Sequence, residues 1–198
     1  MHPRRFSGEV NMAITTAKHF SAGRQGHVIQ IIVIHSAENQ ELPGQAVHLQ
    51  QWFAGASAPQ ASAHEMVDNL HVVCSVADTD TAWAVDDFPL NLISKSYELT
   101  GHAANTAAQW ADAYELAVIK EAQTAISADL KAYGIPAVHL TDAQILAAHN
   151  GDKTVKGICT HADISRALKI VGGHTDPGQG FPMLQFIKGL TAQTKENI

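Results

Sequence analysis

The chain is poor in cysteine and in positive charge, and each shortage removes a class of explanation. Cys74 and Cys159 are the two cysteines among 198 residues. They are too few for a disulfide framework and do not form a Cys-x-x-Cys pair, so two reduced, packed thiols are expected. Thirteen Lys plus Arg stand against nineteen Asp plus Glu, a formal charge of -6. No broad basic surface can be assembled to neutralise a phosphate backbone, and nucleic acid is not expected as a partner. No run approaches the roughly 20 apolar residues of a membrane span, and the charged start Met1-His2-Pro3-Arg4-Arg5 leads into no signal-like apolar stretch. No membrane association and no secretion signal are therefore expected. Internal repeats, low-complexity tracts and Pro/Ser-rich linkers are also missing, which leaves one globular domain, expected as a monomer.

Hydrophobic residues make up 45% of the chain, enough for a substantial core. Residues 1–26 read as a polar lead-in, with Gly23-Arg24-Gln25-Gly26 delivering the chain into Val28–His35. That run is β-branched and almost continuously apolar, the mark of a central strand covered on both faces. Gly44–Phe53 reads as a short amphipathic helix stopped at Gly55. Ala63–Asp68 and His71–Val76 read as a hairpin turning at Asn69-Leu70, without the usual glycine. Lys95–Thr100 is a further strand. Helical spacing predicts one long helix over 106–133, stopped by Gly134-Ile135-Pro136, and Thr141 can cap a short helix through Ala148. Gly157–His161 reads as a last strand and Phe181–Leu190 as a closing helix, with 191–198 as a tail. Strands interleaved with helices predict an α/β domain over 27–190, a central mixed sheet flanked by helices.

Histidine is what the chain has in excess, twelve in all. His35 ends the central strand, His161 lies far downstream, and Asp176 sits in the rigid tract His174-Thr175-Asp176-Pro177-Gly178. Two imidazoles and a carboxylate suit a catalytic zinc, which takes three protein ligands and keeps a fourth position open. Singly, each residue is as readily a packed histidine or a turn carboxylate. Cys159, two residues before His161, would share its side of a strand, so a Cys/His pair also stays open.

Further along the chain, Val33-Ile34-His35-Ser36-Ala37-Glu38, Ser62-Ala63-His64, Ala82-Trp83, Asn91 with Ser94–Glu98, Trp110, Tyr133-Gly134-Ile135-Pro136, His161-Ala162-Asp163-Ile164-Ser165 and Asp176-Pro177-Gly178 follow one another. Taken in that order, they resemble the zinc N-acetylmuramoyl-L-alanine amidases of the amidase-2 and peptidoglycan recognition protein group. The lead-in Ala17-Lys18-His19-Phe20 with Gly23-Arg24 is most similar to amidase domains of actinobacteriophage endolysins. The resemblance implies an amidase-2 fold and hydrolysis of the bond between N-acetylmuramic acid and L-alanine in bacterial peptidoglycan. It implies Zn2+ held by His35, His161 and Asp176, and Glu98 as general base and then proton donor. His174 stands where several relatives carry a lysine for the oxyanion; it would donate there or act as a hydrogen-bonding support. His64, Trp83 and Asn91 are implied at the substrate cleft, although the Ala82-Trp83-Ala84-Val85 stretch departs from the family's Ala-Trp-His-Ala. An endolysin would wait in the host cytoplasm until released to the wall. The alternatives are a non-catalytic peptidoglycan-binding module and a cytoplasmic amidase that recycles muropeptides.

Overall fold

The computed structural model describes residues 16–196. Five strands form one sheet in the order β4-β3-β6-β2-β7: β2 Ile31–Ser36, β3 Glu65–Val67, β4 Val72–Cys74, β6 Ser94–Leu99 and β7 Gly157–Thr160. β3, β6, β2 and β7 run parallel, and only the edge strand β4 is antiparallel. The expected mixed sheet is therefore present. β2 is an interior strand between β6 and β7, buried at every position, as its apolar run requires, since helices cover both faces of a parallel sheet.

The alternation of side chains along β2 divides the interior. Ile32 and Ile34 pack with Tyr97, Leu99 and Ile158 under the long helix α3 (Ala113–Tyr133) and the closing helix α6 (Met183–Glu196). Ile31, Val33 and Cys159 face the other way, into the layer of α2 (Phe88–Ile93), α4 (Asp142–His149) and α5 (His161–Ala167). Helix α1 (Gln45–Ala54) closes the β3–β4 end of that second face through Leu49 and Phe53.

Several expectations shift by a few residues for identifiable reasons. The β3–β4 hairpin forms without a turn glycine because the buried Asp68 carboxylate accepts from the Leu70 and His71 N–H groups, and from Ala46 N at the start of α1. Helix α3 begins at Ala113, not near residue 106: Asp112 caps it by accepting from Glu115 N. The preceding segment is wound in turns that bury Trp110 edge-on against Phe181, ring centroids 5.0 Å apart. Thr141 caps α4 as expected, in a reciprocal box with Gln144. The described part of the lead-in is not wholly irregular. β1 (Phe20–Ser21) pairs antiparallel with β5 (Thr81–Ala82), while residues 1–15 lie outside the described part.

Arg24, also in the lead-in, is buried. Its guanidinium donates to the Leu92 and Ser94 carbonyls and lies 2.7 Å from His64 Nε2. On the opposite face of β6, the buried Lys95 ammonium is ringed by Glu65, Asp78 and Asp129 at 3.0, 2.8 and 2.9 Å. Burial works against that charge, but the three carboxylates outweigh it and hold the lysine above its ordinary pKa. Burial first, and then the charges of Arg24 and Lys95, push His64 down from 6.5 to about 3.

A histidine held neutral in the folded state gives its full stability above its unfolded pKa and loses it as pH falls, because only the unfolded chain then takes up the proton. Between about pH 7 and about pH 5 this group should cost about 2 kcal/mol of stability, the linkage of one proton. Urea unfolding of His64→Gln is expected to show a pH dependence flatter by that amount, whatever the substitution costs at neutral pH.

Candidate functional site

Strand register builds the site. In the parallel pair β2–β6, His35 stands directly opposite Glu98. In the pair β2–β7, Ile34 stands opposite Thr160, the last strand residue, so the next residue, His161, falls beside His35. Three neighbouring strands thus end in a row with Glu98, His35 and His161, at the carboxyl edge where open α/β sheets bind ligands. His161 is not on a strand, contrary to expectation: it is the first residue of α5. Thr160 caps that helix in a reciprocal box with Asp163, whose carboxylate also takes bonds from His139 Nε2 and Arg166. The chain therefore turns sharply at residue 160, and the rule that Cys159 and His161 share a side no longer applies. Cys159 is fully buried in the apolar layer with Ile31 and Val33, and burial pushes its thiol well above the usual range.

Asp176 arrives from a loop. Its carbonyl accepts from Ala162 N at 3.0 Å, and the following turn closes through Gly178 N to Thr175 O at 2.9 Å, with a cis bond between Asp176 and Pro177. Gly178 is needed twice over. Its φ is +88°, and a Cβ there would lie 1.9 Å from the Ala103 carbonyl oxygen. The Asp176 carboxylate then meets both imidazoles, Oδ2 at 3.1 Å from His35 Nδ1 and Oδ1 at 3.3 Å from His161 Nδ1. Burial opposes its charge, but the bonds from His161 and His35 prevail and hold it well below the ordinary carboxylate range. Burial lowers His161 in turn. Glu98 Oε1 lies 4.0 Å from His35 Nδ1, and burial, followed by the charges of Asp176 and Glu38, raises its carboxyl well above the usual value.

The three residues His35, His161 and Asp176 offer donor atoms that lie within 4.8 Å of one another. Both Nε2 atoms are buried without a partner. If Nδ1 carries the proton, Nε2 is a buried acceptor with no donor; if Nε2 carries it, a bare Nδ1 lone pair faces a carboxylate oxygen. A cation among the two Nδ1 atoms and the carboxylate removes that second conflict, so the donor set fits a divalent metal. Asp86, His161 and His174 form a second such grouping among the described residues, sharing His161 with the first.

His174 is half exposed beside this centre. Its ring stacks on His161 with centroids 4.0 Å apart, Nδ1 lies 3.5 Å from Asp176 Oδ1, and Nε2 lies 3.6 Å from Asp86 Oδ2. A cleft of about 300 Å³ opens over the centre, walled by Trp83 and by Leu49, Trp52 and Phe53 of α1. Trp83 is fixed by donating its indole N–H to Ser21. A second lobe, of about 250 Å³, continues past Asp176 and His174 to Glu38, Ala103, Gly172 and Gly173.

Two expected cleft residues lie elsewhere. His64 is fully buried, held by Arg24 and by Ser96 Oγ at 3.0 Å from Nδ1, and does not line the cleft. Asn91 is also buried, and its amide fastens the Ala84-Val85 backbone. It therefore shapes the cleft wall from behind and does not touch the cleft. Conversely, Trp52, Asp86 and the lobe-bridging Glu38 were not singled out as site residues. Trp52 reads in sequence as one more apolar residue of an amphipathic helix, and isolated acidic residues carry no periodic signal.

A parallel-centred α/β domain with a metal-compatible triad and an acidic side chain at the carboxyl edge of its sheet has the form of a hydrolase. The family model described as N-acetylmuramoyl-L-alanine amidase matches residues 24–179, and the chain belongs to that family, amidase-2. Among solved structures it is similar to AmiA of Staphylococcus aureus in complex with its ligand, at 16% identity and a TM-score of 0.59, covering 90% of this chain and 81% of that one. It is also similar to a selenomethionine AmpD derivative, at 17% and 0.59 over 88% and 91%. A mutant endolysin from Bacillus subtilis follows at 12% and 0.56 over 90% and 94%. These likenesses bear out the fold. No curated protein sequence matches the chain.

Elemental analysis of purified protein tests the metal centre. Asp176→Ala and His161→Ala are each expected to lose stoichiometric divalent metal that the unmodified chain and Cys159→Ala retain. Retention by either ligand variant would overturn the proposed donor set.

Proposed function

We propose that the chain is a zinc-dependent amidase that cleaves the amide between the lactyl group of N-acetylmuramic acid and L-alanine in bacterial peptidoglycan, in the setting of a phage endolysin. Family membership supports the bond cleaved. The observation that carries the chemistry is the row Glu98, His35, His161 closed by Asp176, because it sets an acid/base carboxyl beside a metal-compatible triad. The resemblance of the lead-in Ala17-Lys18-His19-Phe20 with Gly23-Arg24 to actinobacteriophage endolysin amidases supports the setting.

His35, His161 and Asp176 would hold the zinc. Bound there, it supplies Lewis acidity, which polarises a carbonyl and makes water a better acid. Glu98 takes the proton of the attacking water and delivers it to the departing alanine nitrogen, so its two roles balance within one turnover. Burial raises its carboxyl above the ordinary value, which makes it a stronger proton acceptor than an exposed carboxylate. The exposed edge of His174 faces the cleft beside Asp176, placed to donate to oxygen as negative charge develops there. Trp83 and the aromatic wall exclude water from one side of the bond.

Digestion of purified cell wall followed by mass spectrometry is expected to release free N-terminal L-alanine, with glycan strands and cross-bridges intact; glycan cleavage would sink the assignment. Glu98→Gln should lower kcat by about 100-fold or more, the usual worth of a general acid/base, while its metal content stays unchanged.

A further inference from the structure

The second lobe differs from the first in the charge and the size of the side chains that line it. Carboxylates are the ionisable anions along both lobes, namely Glu38, Asp86, Glu98 and Asp176, and neither Lys nor Arg lines either lobe among the described residues. Asp176 belongs to the metal-compatible set, and Glu98 and Asp86 line the first lobe and not the second. Glu38 is then the fixed charge of the second lobe. Its backbone stands in the left-handed region at φ +51°, uncommon for a residue with a side chain. Oε1 accepts from Ser36 Oγ at 2.9 Å and from Ala103 N at 2.6 Å, which leaves Oε2 for the lobe, with His102 Nδ1 at 3.5 Å.

The two lobes differ in their walls. Flat apolar faces on Trp52, Phe53 and Trp83 line the first and suit the faces of sugar rings. Ala103, Gly172, Gly173 and Thr175 line the second, where little side chain stands between a ligand and backbone N–H and C=O groups, as an extended peptide requires. Stem peptides differ between cell walls in whether the α-carboxyl of the second residue is free or amidated. A free carboxylate beside Glu38 in this lobe meets a like charge, and no Lys or Arg lines the lobe to pair it among the described residues.

Resting on the amidase reading, we propose that Glu38 is a specificity-determining residue, and that the second lobe selects amidated, uncharged stem peptides against those with a free second-residue carboxylate. The Ser36 and Ala103 bonds hold the Glu38 charge in place, so the ligand cannot push it aside without breaking them. One like-charge contact at this range in a partly wet cleft changes binding on the order of tenfold.

The test uses two muramoyl tripeptides, N-acetylmuramoyl-L-alanyl-γ-D-isoglutaminyl-L-lysine amide and its counterpart with a free α-carboxylate on the second residue. It is run at about pH 8, above the ordinary titration range of exposed imidazoles. The metal-loaded protein is expected to favour the amidated peptide about tenfold in kcat/KM, and added salt should narrow the gap by screening. Glu38→Gln keeps an oxygen for Ser36 and Ala103 while losing the charge, and should shrink the ratio to about threefold or less, as removal of one like-charge contact implies. Equal rates, a preference for the acid, or a ratio unmoved by both salt and Glu38→Gln would overturn the proposal. Failure to cleave either peptide would defeat the amidase reading instead. Calorimetric Kd values for the same pair would then decide this one, a tighter amide supporting it and equal binding ending it.

Discussion

The parallel register of β6, β2 and β7 is the constraint on which the rest of the molecule depends. Parallel strands must be joined by crossovers, so residues 63 and 126 positions apart are brought side by side: Glu98, His35 and His161 belong to three separate crossover units. Because side chains alternate along a strand, slipping either pairing by one residue would turn Glu98 or the β7 end to the opposite face. The apolar alternation of Ile31, Ile32, Val33 and Ile34, split between two packed layers, makes such a slip expensive. The hydrophobic pattern of β2 thereby fixes polar chemistry at its tip.

Strand β6 carries polar groups on both faces, and each face has a different solution. Ser96 and Glu98 look toward His64 and the cleft, while Lys95 and Tyr97 look toward α3, where Asp129 meets both of them. Buried ion pairs seldom add much net stability, yet losing one partner is costly. The Lys95 ring therefore pins α3, β3 and the Asp78 loop to one arrangement against β6. Arg24 repeats this from the other face, binding the Leu92 and Ser94 carbonyls at the strand's start. The strand that presents Glu98 is tied at its base by charges that take no part in the cleft.

What the sequence made legible follows from which interactions are local. The buried strand at His35, the cap at Thr141 and the stop at Gly134 each rest on a few adjacent residues, and each stands where periodicity or turn chemistry puts it. The grouping of His35, His161 and Asp176 was legible through the order of short motifs, because no local spacing joins His35 to Asp176. What stayed hidden depends on distant partners. Helical spacing from residue 106 is real, but burying Trp110 under Phe181 uses that segment for turns. His161 looks like a strand residue until the Thr160–Asp163 box starts a helix there. His64 and Asn91 carry the family pattern, yet a buried guanidinium claims one and the Ala84-Val85 backbone the other. Polar residues near a site in sequence order can serve its walls without facing its contents.

Asp176 shows how the carboxylate of the metal-compatible triad is tied to the same strand as Glu98. Leaving β6 just after Glu98, the chain forms the 101–105 loop. Gly178 and Gly180 pack on the backbone of that loop, where an added Cβ would sit 1.9 Å from the Ala103 oxygen and 2.1 Å from the Asn105 oxygen. Glu38, just beyond β2, holds Ala103 from the other side through its carboxylate. The tract bearing Asp176 is therefore set by backbone-to-backbone packing against the continuation of β6, itself fastened by the continuation of β2. With no side chain between the two backbones, main-chain packing sets where the Asp176 backbone stands. The Glu38 carboxylate is thus a structural element first, and any selectivity it exerts is built into the same contact that fastens the loop on which the Asp176 tract packs.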